Sequence, residues 1–255
     1  MLTETLNTWR VADAVVDYYQ DRMGLQPRSL NVVVGETNGG YLTDNLGRQV
    51  GREQVFEVLD TSRSPQGRGR VPEGNVGGGT PMTGYGLKGS IGTSSRVGEG
   101  FTVGALVQLN CGSKEDLSVS GVPVGREVKL PEKPHASPGN SIMMVVATDL
   151  AMESRQLWKV AKRATFGLAR TDTYGGNESG DFTIAFTTGK RVHEQRNGDE
   201  FLNPVYKATA EATEEAIVNA LFAAETMTGH KGHVRYALSL DQVLEIFGRY
   251  GRSLP

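Results

Sequence analysis

Ile142-Met143-Met144-Val145-Val146-Ala147-Thr148 is a continuous apolar run. The polar, proline-containing stretch that leads into it ends on Gly139-Asn140-Ser141. A run of this length, bounded by loop residues, fits a strand buried on both faces, although periodicity alone leaves a helix open. A strand covered on both faces requires a layered fold. Ser141 stands where exposed loop becomes core strand, held rigid from one side and accessible from the other.

The segments around that strand alternate between two periods. Residues 6–23 predict a helix with Val11, Val15, Tyr18 and Tyr19 on one face. Residues 30–35 predict a short apolar strand running into Glu36-Thr37-Asn38-Gly39-Gly40, and 52–59 a second helix. A loop rich in Ser, Gly, Arg and Pro covers 61–81. Strands are expected over 87–97 and 101–109, the second with Phe101, Val103, Ala105, Val107 and Leu109 alternating. Residues 112–140 form a connector with prolines at 123, 131, 134 and 138, and loops of that length are functional or disordered as a rule. A strong helix follows over 153–170, with Leu157, Val160, Ala161, Ala164 and Leu168 at helical spacing. Phe182, Ile184 and Phe186 alternate in a further strand. An alanine-rich helix spans 208–227 with Ile217, Leu221 and Ala224 as its buried line, and a last helix over 240–249 takes Ser239 as N-cap. Helices and strands mix without strict βαβ alternation, which predicts an α+β fold with helices layered on antiparallel or mixed sheets.

Composition removes several classes of function. A formal charge of -2 gives no electrostatic reason to expect nucleic acid or an anionic membrane. No apolar stretch is long enough to span a bilayer. Residues 1–10 show no signal peptide, so a cytoplasmic location is expected. Cys111 is the single cysteine, which forbids an intrachain disulfide and a Cys-based zinc cluster. His135, His193, His230 and His233 are scattered, and no carboxylate motif joins the last two, so neither metal nor cofactor is expected. Residues 84–89 match G-x-G-x-x-G. A Pro/Gly/Thr loop precedes them and a strand-like segment follows, where a dinucleotide site needs a helix N-terminus. Glycines, 33 in all, concentrate in 74–104 and point to turns and close backbone approaches.

No histidine lies near Ser141 in sequence and no G-x-S-x-G elbow surrounds it. A nucleophilic serine needs a base. Breaking the chain between Asn140 and Ser141 would supply one, because a free α-amine has a pKa near roughly 8 and can take the hydroxyl proton. On the residues alone, a structural serine and an N-terminal nucleophile both stand.

Several separated segments carry a resemblance in the right order. They are 34–37, 74–80, 87–96, 101–110, 139–142, 167–170, 179–181 and 219–229. In these the chain resembles the DmpA/BapA family of self-processing aminopeptidases, peptidase family S58, from about residue 2 to residue 238. The resemblance implies an αββα four-layer sandwich of the N-terminal-nucleophile-hydrolase type with different connectivity. It implies one domain, 1–255, that cuts itself between Asn140 and Ser141 into subunits 1–140 and 141–255. Ser141 is then the nucleophile. Ser179 and Asp181 assist and orient it, Asn110 donates to the oxyanion, and Glu36 holds the substrate's free amino group. Asn38 stands at the substrate-binding position where the family usually has an aromatic residue. Each has a plainer rival: a turn at Glu36 and Asn38, a strand end at Asn110, a hairpin turn at 179–181. The implied activity is release of N-terminal residues from peptides or amino-acid amides, D- or β-residues included, by a homo-oligomer of four or more subunits without nucleic-acid or membrane partners. Residues 2–5 resemble a segment well inside family members, so an amino-terminal portion with sheet strands is expected to be missing. The alternatives are therefore a catalytically inactive scaffold, or an amidase or acyltransferase with the same nucleophile.

Overall fold

The computed structural model describes residues 1–132, 140–190, 199 and 201–254. Gly139 and the connector residues Pro134, His135 and Pro138 lie outside the described residues, as does His193. Along the chain run β1 (Leu2–Glu4), α1 (Thr8–Asp21), β2 (Gly35–Thr37), α2 (Arg52–Arg63), β3 (Thr83–Gly84), β4 (Leu87–Lys88), β5 (Ile91–Gly98) and β6 (Phe101–Asn110). There follow α3 (Val124–Glu127), β7 (Asn140–Thr148), α4 (Ser154–Ala169), β8 (Ser179–Thr187), α5 (Leu202–Phe222), β9 (Met227–Thr228), β10 (Val234–Arg235) and α6 (Leu240–Arg249).

The main sheet has the order β5-β6-β7-β8, antiparallel except for the parallel β7/β8 pair. The apolar run is therefore a central strand, but it is fully covered on one face only, where burial on both was expected. Its helix-facing residues Ile142, Met144 and Val146 are fully buried against α4 and α5, together with Val103, Val107 and Leu109 of β6. Each such side chain contributes roughly 1.5–3 kcal/mol by leaving water. On the other face only Met143 is fully buried, while Val145 and Ala147 are half-buried. α5 lies so close to β5 that a Cβ on Gly92 would stand 2.0 Å from Ala216 O, which excludes every larger residue there.

The second layer of strands is the parallel pair β1/β2. It lies over Met143 at Gly35, and Gln108 of β6 ties it down through Nε2 donating to Thr3 O (2.9 Å) and Thr37 Oγ1 (2.6 Å). Beyond it α1 and α2 pack on each other through Val11, Ala14, Val15 and Val55. The layers thus run helices, sheet, small sheet, helices.

Three further expectations change. The strand expected over 30–35 forms only at Gly35–Thr37, because hydrogen-bond partners exist only beside β1; Val32 and Val34 pack instead against the α1/α2 cluster. The connector after β6 is not all loop, since Leu117, Val119, Val122, Val124 and Val128 belong to the main core. The apolar face of β8 points away from the helices. Register with β7 places Asp181, Thr183 and Ala185 on the helix side, and Phe182 and Phe186 are 62% and 44% exposed on the other.

Candidate active site

The last residue of β6 and the second of β7 meet at one end of the main sheet. Asn110 pairs with Ser141 across the antiparallel ladder, so their side chains share a face with Cβ atoms about 4.5–5.5 Å apart. Asn110 is buried; Ser141 is half-buried and so open to solvent on one side. Gly180 of β8 aligns with Ser141, and a Cβ there would stand 3.6 Å from Ser141 Cβ. Ser179 and Asp181 align with Asn140 and Ile142, and Ser179 Oγ donates to Asp181 Oδ1 at 2.7 Å. By alternation this pair lies on the sheet face opposite the Ser141 side chain, bracketing residue 141 in the register. The segment 179–181 is the start of a strand rather than a hairpin turn.

The Asn110 amide has one orientation open to it. Thr83 N, which can only donate, points at Oδ1 (2.8 Å), and Asn38 O, which can only accept, receives Nδ2 (3.0 Å). An amide nitrogen carries two protons, so the second Nδ2 proton remains for a ligand beside Ser141. Asn38 reaches the site through its main-chain oxygen. Its side-chain oxygen accepts from Gly40 N (2.9 Å), which closes the turn after β2. Glu36 lies between Gly35 and Thr37, both turned to the main sheet, so its carboxylate leaves β2 on the other face, where Thr5 Oγ1 donates to it. Asn110, Ser141 and the Asn38 carbonyl are brought together, with Ser179 and Asp181 on the opposite face of the sheet; the Glu36 carboxylate, turned to Thr5, is not among them.

Residues 84–89, the G-x-G-x-x-G match, are the turn and second strand of the β3/β4 hairpin. Its central residues Tyr85 and Gly86 both have positive φ (53° and 68°), the geometry of a tight hairpin. The hairpin's task here is to present Thr83 N to Asn110. Three residues around it carried no functional signal in the sequence. Lys88 is completely buried with its ammonium among main-chain oxygens. Arg235 Nε donates to Thr83 Oγ1 (3.3 Å) and its guanidinium lies 3.7 Å over the Tyr41 ring, against which His233 also stacks. Glu4 aligns with Thr37, so it faces the main sheet; Thr43 and Asn7 donate to it, and burial pushes its carboxyl above the usual range. Lys88 falls inside the glycine match of 84–89, but that pattern points to a nucleotide and not to a buried ammonium; each of the three acts only once distant segments are brought together. Among the described residues no three His, Cys, Asp or Glu side chains are grouped to hold a metal, and no helix is long and apolar enough to cross a membrane.

The family model for peptidase family S58 matches residues 1–235. The chain belongs to that family. Among S58 relatives, the β-peptidyl aminopeptidase BapA of Sphingosinicella xenopeptidilytica is 37% identical over 276 residues, covering 96% of this chain and 67% of that protein. The L-aminopeptidase D-Ala-esterase/amidase of Ochrobactrum anthropi, described as a prototype for the serine aminopeptidases and a variant of the Ntn hydrolase fold, superposes with a TM-score of 0.85 at 37% identity. The match covers all of this chain and 74% of that one. The PH0078 protein of Pyrococcus horikoshii gives 0.86 at 44% identity, over 99% of this chain and 72% of its own. This S58 chain therefore has the Ntn hydrolase fold variant of the serine aminopeptidases, as the resemblance implied.

Proposed function

We propose that this chain is a self-cleaving serine aminopeptidase whose nucleophile is Ser141. What supports this most is the pairing of Asn110 with Ser141: an oriented amide donor opposite a hydroxyl that solvent can reach. In self-cleavage, Ser141 Oγ attacks the Asn140 carbonyl carbon, the C–N bond breaks, and the Oγ proton ends on the departing Ser141 nitrogen. The product is an ester. Water hydrolyses it, leaving a carboxylate on Asn140 and a free amine on Ser141. That divides the chain into 1–140 and 141–255, which stay together through the β6/β7 ladder and the core around it.

In turnover the α-amine of Ser141 takes the Oγ proton while Oγ attacks the substrate carbonyl. Asn110 Nδ2 donates to the oxyanion, a contribution of about 3 kcal/mol for one such donor. The ammonium then protonates the leaving amine, and water releases the acyl group. Ser179 and Asp181 orient the α-amine from the face behind it. The family role of Glu36, holding the substrate's amino group and so limiting cleavage to residues with a free amino end, requires its carboxylate to leave Thr5 Oγ1 and turn to the site. Substrates are peptides or amino-acid amides. The β-peptidyl and D-Ala activities in the relatives' names make β- and D-residues the first to try. The working form is a homo-oligomer of four or more subunits.

Denaturing gels and amino-terminal sequencing of the purified protein test this. A fragment beginning Ser141-Ile142-Met143, lost in Ser141→Ala, together with hydrolysis of amino-acid anilides, is the expected result. An uncut chain that hydrolyses no anilide overturns it and favours the inactive scaffold. Light scattering gives the subunit number.

A further inference from the structure

Lys88 has no exposed surface, and among the described residues no carboxylate pairs with it. Its Nζ donates to Gly79 O (3.1 Å), Met82 O (3.2 Å) and Gly89 O. An ammonium has three N–H donors and no acceptor. Three carbonyls therefore match the charged form, whereas a neutral amine would turn its lone pair on one of them. Burial pulls the Lys88 pKa down to about 7, and the carbonyl cage opposes that fall.

The position of one acceptor is the informative part. Met82 O belongs to the same peptide unit as the Thr83 N–H. That N–H donates to Asn110 Oδ1 at 2.8 Å. The Asn110 Nδ2 protons are at the other end of the same amide. Three polar groups thus run in one sense: ammonium to Met82 O, Thr83 N–H to Asn110 Oδ1, and Asn110 Nδ2, which donates one proton to Asn38 O and keeps a second on the sheet face it shares with Ser141. Each donation withdraws electron density from the next group and strengthens its N–H as a donor. A positive charge at the buried end complements a negative oxygen at the open end.

We propose that Lys88 is a positioning residue that orients and polarises the Asn110 amide through the Met82–Thr83 peptide. This rests on the reading of Asn110 as the oxyanion donor. Lys88 touches no substrate. It acts by fixing the peptide that fixes Asn110, and by adding its charge to the line of donors.

The test uses Lys88→Met, which removes donors and charge, and Lys88→Gln, which keeps donors without charge. Each is measured alone and combined with Asn110→Ala, on the full chain. Expected is a fall in kcat of about 10- to 100-fold for K88M and about threefold or more for K88Q, with KM within about twofold. In the N110A background neither should cost more than about twofold, because the path through Asn110 is already cut. Additive losses, a change confined to KM, or a K88Q enzyme equal to wild type would overturn the proposal. A purely scaffolding lysine gives additive losses that follow stability.

A second readout needs no activity and separates this proposal from the reading it rests on. In protein labelled with 15N and 13C, the Thr83 amide proton and the Asn110 side-chain protons should move upfield in K88Q. In wild type, a coupling across the hydrogen bond should link Thr83 N to the Asn110 side-chain carbonyl carbon. Unmoved resonances or an absent coupling sink the relay even in an active enzyme. A shifted pair in a protein that hydrolyses nothing keeps the relay and removes the oxyanion role. If K88M does not fold, K88Q and the wild-type coupling still decide.

Discussion

Replacing Asn110 by alanine separates its structural work from its chemical work. The side chain is 1% exposed, and its two hydrogen bonds, from Thr83 N at 2.8 Å and to Asn38 O at 3.0 Å, join three segments. Truncation leaves a buried N–H without a partner, costing about 1–3 kcal/mol, and a part-buried carbonyl that water can partly serve, costing about 1 kcal/mol. The expected loss is therefore about 2–4 kcal/mol of stability, seen in urea unfolding of the full chain. The chemical loss is distinct: removing one oxyanion donor lowers kcat by about 10²–10³ with little change in KM. The same donor serves self-cleavage, so the fraction of cut chain should build up more slowly in N110A than in wild type. Asn110→Asp sharpens the experiment. Its carboxylate keeps the acceptor for Thr83 N but sets a second oxygen against Asn38 O. Burial and that carbonyl raise its pKa, so N110D is destabilised as pH rises through that value. It regains stability on acidification, when the protonated acid can donate to Asn38 O. Kinetics on amino-acid anilides at a temperature where all variants are folded decide the matter. A folded N110A with kcat within about threefold of wild type would refute the oxyanion role.

Other expectations are simpler. Glu4→Gln should stabilise the protein at neutral pH. Burial raises the folded-state pKa of Glu4, so wild type loses stability as pH rises through the interval between its unfolded and folded values, and the variant does not; parallel melting curves below pH 4 and at pH 7 check this, and an equal difference at both would contradict it. Tyr85→Phe removes the buried hydrogen bond to Thr171 Oγ1 (2.6 Å) and should cost about 1 kcal/mol in urea unfolding, with kcat unchanged. Phe182→Ser should cost less than about 2 kcal/mol in urea unfolding, below a core truncation, since most of its ring is in solvent. A loss of core size would instead mean that β8 turns its aromatic face inward.

The helices were written locally. α1, α4 and α6 follow from apolar spacing, and Ser239 caps α6 by accepting from Gln242 N as its type and place implied. The central strand, with Ser141 at the loop–strand boundary, was readable too, because an uninterrupted apolar run has few other uses. Periodicity could not tell which face of β8 is buried: alternation reveals two faces, and only the parallel register with β7 chooses between them. Nor could it keep 30–34 out of a strand, since a strand exists only where a neighbour offers hydrogen bonds. The resemblance supplied the roles of Asn110 and Ser141; their meeting across 30 intervening residues is a property of the β6/β7 ladder. Lys88, Thr83 and Glu4 became meaningful only in three dimensions. Local sequence determines which backbone shapes are cheap, whereas what a polar side chain does depends on which distant main-chain groups surround it once water has left.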